Sequence, residues 1–300
     1  MKTKNSVVTV GVFDGVHIGH RAVIKKVVSR AKMVGAVSIV VTFDPHPLKV
    51  LRGKRLALSL ISLRHRVKLI KDMGVDKVII MKFDKILSRM RPDDFIKNII
   101  ARKLKAKEIF VGEDFCFGRG AAADIGALKD IGKVAGLKVR LVKAVKNSSG
   151  IISSSEIRKL VTSGKISDAS KFLGRPFSIL GSVVSGAKLA RSLGYPTANV
   201  NPHHEAIPPS GVYAVKVRFN EKFFKGVVNI GIRPTFYDHG KDVEPSIEVH
   251  IFDFHGNIYG KDLEIIFVKR IRAEKKFKTI DSLIEQVRKD KKTAKRLLAY

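Results

Sequence analysis

Three hundred residues, 45% of them hydrophobic and with charge spread throughout, exclude a disordered chain and leave room for two ordinary domains. No apolar run approaches a bilayer crossing, and the opening MKTKNSVVTV lacks the apolar stretch and small-residue cleavage site expected of a signal peptide. The 58 Lys and Arg against 27 Asp and Glu, a formal net charge of +31, attract anions generally. They are scattered through both halves, so they single out neither a membrane nor a dedicated nucleic-acid partner.

Taken in chain order, VVTVGVF (7–13), VSIVVTF (37–43), VDKVIIMKF (75–83), EIFVGEDF (108–115) and VRLVKAV (139–145) are β-branched runs flanked by turns, the pattern of buried strands. Helical stretches separate them. In HRAVIKKVVSRAKMV (20–34) the residues Val23, Val27, Ala31 and Val34 share one face. After RPDD a second helix is expected, with Pro92 in its first turn and acids against the N-terminal dipole. Strand and helix in alternation predict an α/β domain with a mostly parallel sheet, whose ligands bind beyond the carboxyl ends of the strands.

From about Arg175 the rhythm changes. FSILGSVV, GVYAVKVRF, KFFKGVVNIGI, SIEVHIFDF and IYGKDLEIIFV follow one another without helices, separated by PPSG, DHGKD and HGN. That predicts an antiparallel barrel or sandwich closed by a terminal helix with an apolar stripe of Ile280, Leu283, Ile284 and Val287. The expected boundary lies at Gly174, giving domains 1–174 and 175–300. Cys116 is the single cysteine, so there is no internal disulfide. It is expected to be a small packed side chain, and the chain to be cytoplasmic.

The segment GVFDGVHIGH (11–20) stands where the first strand hands over to its helix. A helix N-terminus offers backbone N–H groups and partial positive charge to a phosphate, glycines permit close approach, and the imidazoles of His17 and His20 add donors. A zinc pair competes with this reading, but no third ligand stands at a recognisable offset. Downstream, SSSEIR (153–158) is a capping-box pattern pairing Ser153 with Glu156. In the second half LGYPTANV (193–200) places the oxygens of Thr197 and Asn199 at alternating positions of an extended segment, a pattern suited to Mg²⁺ as well as to a plain turn. Glu248, read alone, is one polar position on an alternating strand.

The H-x-G-H spacing followed by SSSEIR resembles the nucleotidylyltransferase superfamily, and TFDPHP (42–47) with VGEDFCFGRG (111–120) is similar to the flavin-adenylating domain of bacterial bifunctional riboflavin kinase/FAD synthetases. The resemblance implies a Rossmann-like nucleotidyltransferase domain in which Gly11, Phe13, Asp14, His17, Gly19 and His20 hold ATP. Ser155 and Arg158 would reach its phosphates, and Asp44, Phe115 and Phe117 would lie near the ATP or flavin pocket. LGYPTANV, GVVNIGIRPTF, SIEVHIFDF, YGK and RAEKKF resemble riboflavin kinase in the same order. That implies a small antiparallel barrel with Glu248 as base, Thr197 and Asn199 on Mg²⁺ and ATP, and Gly186, Gly194, Tyr259, Arg272 and Phe277 around nucleotide and flavin. The substrates implied are ATP, riboflavin and FMN, with FAD as final product.

Four positions depart from the pattern, the mildest being Tyr195 in place of phenylalanine. Ala190 replaces a glycine of the phosphate loop, Ala123 replaces another before Asp124, and Ser155 stands where threonine is usual. Two alternatives stay open at this level: only one activity is retained, or a basic, degenerate fold binds RNA. For RNA the best segment is KRIRAEKKFK (269–278), whose one aromatic is Phe277.

Overall fold

The computed structural model describes residues 4–51, 59–147, 150–185, 194–203, 206–232 and 245–299. Gly186 and Ala190, the DHGKD turn and the RPTF of GVVNIGIRPTF lie outside the described residues. The chain forms two compact units, 1–59 with 63–154 and 60–62 with 155–300.

In the first unit β1 (Ser6–Val10), β2 (Val37–Asp44), β3 (Lys77–Lys82), β4 (Ala106–Gly112) and β5 (Lys138–Val142) form one sheet in the order β3-β2-β1-β4-β5. Every pair is parallel. β1 is central and wholly buried because both its faces are covered. Val7 packs on Val23, Val27 and Ala31 of α1 (Ile18–Met33), while Val8 and Val10 join the core on the opposite face with Ile96, Ile100 and Leu128. The helix ends one residue sooner than its apolar stripe suggests: Val34 is the C-cap and 46% exposed. Between β2 and β3 run α2 (Pro47–Leu51) and α3 (Leu63–Lys71).

After α4 (Lys85–Ser88), Pro92 opens α5 (Pro92–Asp94) as expected. The helix then continues as a π-helical segment, Phe95–Lys103, burying Phe95, Ile96 and Ile100. α6 (Ile125–Val134) begins at Asp124, whose carboxylate accepts from Ala127 N at 3.0 Å. A short hairpin of β6 (Lys146–Asn147) and β7 (Gly150–Ile151) precedes α7 (Ser154–Thr162). Because β1 lies between β2 and β4, with helical crossovers leaving in opposite directions, the chain order reverses at β1. The 11–20 segment opens from that switch point.

In the second unit α8 (Ile166–Leu173) stops at Gly174, which takes the left-handed conformation (φ 63°) that ends helices. β8 (Ser178–Val184), β9 (Ala198–Asn201), β10 (Gly211–Phe219), β11 (Lys222–Ile232), β12 (Pro245–Ile251) and β13 (Asp262–Arg272) close a barrel in the order β10-β11-β12-β9-β8-β13. All its pairings are antiparallel. Register and burial put Val215, Val217, Val228, Ile230, Ile247, Val249 and Ile265 inside. Residues of the other parity lie on the outer wall, part of which α9 (Ile280–Leu297) covers through Ala294 and Leu298. Ile280 is 62% exposed, so the apolar stripe of α9 begins effectively at Leu283. Among the described residues no helix is long and apolar enough to cross a membrane.

Candidate active sites

The loop after β1 is strained. Phe13 (φ 52°), Gly15 (φ 84°) and Val16 (φ 44°) all have positive φ, and for a β-branched residue such as Val16 that is an outlier. Such strain persists only where the surroundings enforce it. Val16 is fully buried and Phe13 nearly so, and Gly11 lies so close that a Cβ there would stand 3.0 Å from the Phe13 ring. The loop delivers His17 to the N-cap of α1, where Nδ1 accepts from His20 N at 3.4 Å, which leaves the ring proton on Nε2. The His17 and His20 rings stack at 3.6 Å between centroids, with Phe13 edge-on to His20 at 5.3 Å.

Burial governs their charge. The His17 pKa falls to about 4 through desolvation, with Asp14 and Asp114 opposing. His20 is pushed well below its ordinary value by burial and then by His17 and Arg66. Its Nδ1 is buried with no hydrogen-bond partner among the described residues. Two imidazoles that burial keeps neutral thus stand stacked at a helix start, offering hydrogen-bond donors without fixed charge. Among the described residues no group of three His, Cys, Asp or Glu stands together as a metal-ligand set.

The other first-unit candidates divide. Asp14 is buried, and its carbonyl accepts from Ser154 Oγ at 2.7 Å, joining the α7 start to this loop. Gly19 sits against the His17 ring. Asp44 is exposed at the end of β2. Phe117 lies in the core and stacks on Phe115 at 5.5 Å, while Phe115 is half-buried against the same core. Ala123 pairs back to Phe117 and is itself buried, so its methyl fits the turn. Cys116 is exposed, not packed as expected, because the alternation that buries Phe117 turns its neighbour outward. Ser155 and Arg158 ride on α7, in the stretch counted with the second unit.

On the barrel, Glu248 of β12 pairs directly with Asn199 of β9 on one side and Asn229 of β11 on the other. Directly paired residues share a face, so a carboxylate stands in a row between two amides on the outer wall. The wall, the 272–277 segment and α9 enclose a cavity of about 390 Å³. Thr197, Asn199, Asn229, Glu248, Arg272, Glu274 and Phe277 line it, with Leu283, Ile284 and Val287 supplying its apolar side. Glu248 is thus half-buried in a cleft, not facing open solvent, and Ser246 Oγ reaches its Oε1 at 3.3 Å.

Arg272 is tied by a bidentate pair to buried Asp290 of α9, at 2.8 to 3.1 Å, and its guanidinium lies 5.8 Å from the Phe277 ring centroid. It fixes α9 over the cavity. Tyr259 is 45% exposed and does not line this cavity, and Gly194 (φ 82°) makes the turn into Tyr195, which does.

Sequence reasoning missed three residues here. Asn229 completes the polar row. His250, two positions beyond Glu248 on the same face, has Nδ1 2.9 Å from Pro196 O, so it must donate there and hold the PTAN segment to β12. Arg66 of α3 reaches the strained loop of the first unit with Nη1 donating to Val12 O at 2.6 Å. Only the alternation of β12 could have pointed to His250.

Two family models match the chain. The FAD synthetase family model matches residues 1–156 and the riboflavin kinase model residues 173–298. Among curated proteins, the bifunctional riboflavin kinase/FMN adenylyltransferase of Buchnera aphidicola subsp. Schizaphis graminum is 38% identical over 289 residues, 95% of this chain and 92% of that protein. Those of Bacillus subtilis (38%) and Escherichia coli K12 (33%) each match over 96% of this chain and 91% of their own length. A crystal structure described as a macrolide-efflux protein from Streptococcus pneumoniae is 29% identical, with a TM-score of 0.85 over 98% of this chain and 95% of that one. The chain belongs to the family of bifunctional riboflavin kinase/FMN adenylyltransferases, with its FAD synthetase part first and its riboflavin kinase part second.

Proposed function

We propose that this chain phosphorylates riboflavin to FMN in the barrel and adenylylates FMN to FAD in the α/β unit, consuming ATP at both steps. The observation that carries the reading is the convergence of Thr197, Asn199 and Glu248 on one cavity, in a chain whose other half buries the His17–His20 pair at a sheet switch point. We take residues 1–174 as the adenylylating domain and 175–300 as the kinase.

In the barrel, Glu248 takes the proton from the ribityl 5′-hydroxyl as its oxygen attacks the γ-phosphorus of ATP and ADP leaves. The flanking amides of Asn199 and Asn229 hold the carboxylate and substrate oxygens in register. The oxygens of Thr197 and Asn199 fit a hard cation, and Mg²⁺ held there would screen the phosphate charge. Phe277 and the α9 wall supply apolar surface for a flavin ring, with Arg272 holding α9 in place, and Gly186, Gly194 and Tyr259 belong to the surrounding nucleotide and flavin contacts.

In the α/β unit an FMN phosphate oxygen attacks the α-phosphorus of ATP and pyrophosphate departs. His17 and His20 donate hydrogen bonds to the phosphates, and Ser155 and Arg158 add a hydroxyl and a cation. Gly11, Phe13, Asp14 and Gly19 shape the loop, and Asp44, Phe115 and Phe117 border the nucleotide and flavin. The chain works in the cytoplasm, where its substrates are.

The test is chromatography of flavins after incubating purified protein with riboflavin, ATP and Mg²⁺. FMN followed by FAD is the expected result. FMN alone would remove the adenylylating assignment. FAD from supplied FMN but no product from riboflavin would remove the kinase assignment, and no product from either flavin would overturn the reading.

A further inference from the structure

Arg66 belongs to none of the motifs above, yet it is among the most buried charged groups of the first unit at 5% exposure. It projects from α3, after β2, and its two terminal nitrogens reach the β1–α1 loop and the carboxyl end of β2. Nη1 donates to Val12 O at 2.6 Å and Nη2 to Phe43 O at 3.0 Å. Val12 immediately precedes the strained Phe13, and Phe43 immediately precedes Asp44. The same Val12 carbonyl also accepts from Thr42 Oγ1 at 2.9 Å, and Gly11 N donates to Val41 O at 3.0 Å. The loop that carries His17 is therefore pinned to β2 from its first residues onward.

We propose that Arg66 is a positioning residue of the adenylylating site, its guanidinium fork fixing the β1–α1 loop against the carboxyl end of β2 so that His17 and His20 meet the phosphates in one geometry. The inference rests on the proposed role of that loop in binding ATP. A helix-borne side chain is well suited to the task, because positive φ at Phe13 and Val16 is held only if the backbone just before them is anchored. Lysine would not substitute: a single ammonium offers no planar fork for two carbonyls, one from a loop and one from a strand end.

The charge has a second effect. Asp14 and Asp44 stabilise the guanidinium in place, and the guanidinium in turn disfavours a proton on His20, as do burial and His17. His17 feels Asp14 and Asp114 in the opposite sense. Arg66 thus contributes to keeping His20 neutral near neutral pH.

The experiment uses full-length Arg66→Met and Arg66→Lys, measuring FAD formation from FMN across pH, with riboflavin phosphorylation by the same preparations as the check on folding. Arg66→Met should lower kcat for FAD formation at least about tenfold and move the acid limb of its pH profile to higher pH, because His20 then protonates more easily. Arg66→Lys should retain the wild-type acid limb, since the charge is kept, but stay about tenfold down in kcat, since the fork is lost. Wild-type kcat and acid limb in Arg66→Met, or wild-type kcat in Arg66→Lys, would overturn the proposal. If Arg66→Met does not fold, Arg66→Lys decides by the same criterion. A wild-type chain that phosphorylates riboflavin but forms no FAD would overturn the reading of the loop, and the inference with it.

Discussion

At the carboxyl end of β1, a run of positive-φ residues forces two neutral imidazoles face to face over a helix start, whereas on the barrel wall an unstrained antiparallel ladder sets Glu248 between two amides. The first site is built from groups that burial has stripped of charge, and the proposed binding of phosphate there uses donors aimed in advance. The second keeps a carboxylate in a cleft of about 390 Å³ whose far wall is a helix tied to the barrel beside the cleft by the Arg272–Asp290 ion pair. The difference follows the chemistry proposed for each. Transfer to FMN starts from a phosphate that needs no deprotonation, so positioning suffices; transfer to riboflavin starts from a hydroxyl, so a base is required.

The sharpest test of this contrast is Glu248→Gln, which keeps shape and hydrogen bonding but abolishes the base. Riboflavin phosphorylation should fall by about 10²- to 10⁴-fold while FAD formation from supplied FMN continues. An intact kinase would mean that the base has been misassigned. The reciprocal change, His20→Ala, removes a donor and no base. It should depress FAD formation by roughly 10²- to 10³-fold, the usual cost of losing one preorganised oxyanion donor, and leave FMN formation alone. Equal loss of both products in either variant would show the two sites not to be separable.

Acid should act on the first site through its buried imidazoles. The folded-state pKa of His17, about 4, lies below its ordinary 6.5, so the unfolded chain binds this proton first. The stability that His17 contributes is therefore complete above pH 6.5 and is lost as pH falls towards 4, to a total on the order of 3 kcal/mol. His20 shifts in the same direction and adds to the loss. His250 in the barrel is also lowered, chiefly by burial, with Lys291 reinforcing and the Pro196 hydrogen bond and Asp253 opposing. Replacing His17 by Asn keeps an N-cap acceptor but no titrating ring. Thermal unfolding at pH 7 and pH 5 should then differ less in His17→Asn than in the wild type; an unchanged difference would mean that the fold does not hold His17 neutral.

How much of this was legible in the sequence depended on whether the determining contact was local. The β-branched runs predicted every strand of the parallel sheet, and the switch from alternating helices to consecutive strands predicted an antiparallel barrel or sandwich, because period and composition are properties of a short window; the four-residue β9 was too short to register. Val34 and Ile280 misled for the same reason: each continues an apolar stripe past the point where the helix is covered. The exposure of Glu248 could not be read from alternation alone, which places it on the outer wall but says nothing of α9 lying across that wall. Arg66 was invisible because its partners are carbonyls 54 and 23 residues away, and any residue can supply a carbonyl.

The smallest expected effects come from two glycines, and they separate geometry from backbone strain. Gly194 has φ 82° with nothing within 4 Å of an added Cβ, so Gly194→Ala meets only the cost of the left-handed conformation, about 1 kcal/mol of barrel stability. Gly19 lies within α1 with ordinary helical backbone, where alanine is favoured by up to about 1 kcal/mol. Its Cβ, however, would stand 3.2 Å from Cε1 of the His17 ring, tighter than an ordinary contact, so the ring must turn aside. Gly19→Ala should therefore leave melting unchanged or slightly raised while FAD formation drops several-fold, the opposite pairing of stability and activity from Gly194→Ala. If Gly19→Ala instead formed FAD at the wild-type rate, the exact stacking of the His17 ring on His20 would be incidental to phosphate binding, and the contrast between a preset first site and a cleft-shaped second one would lose its strongest support.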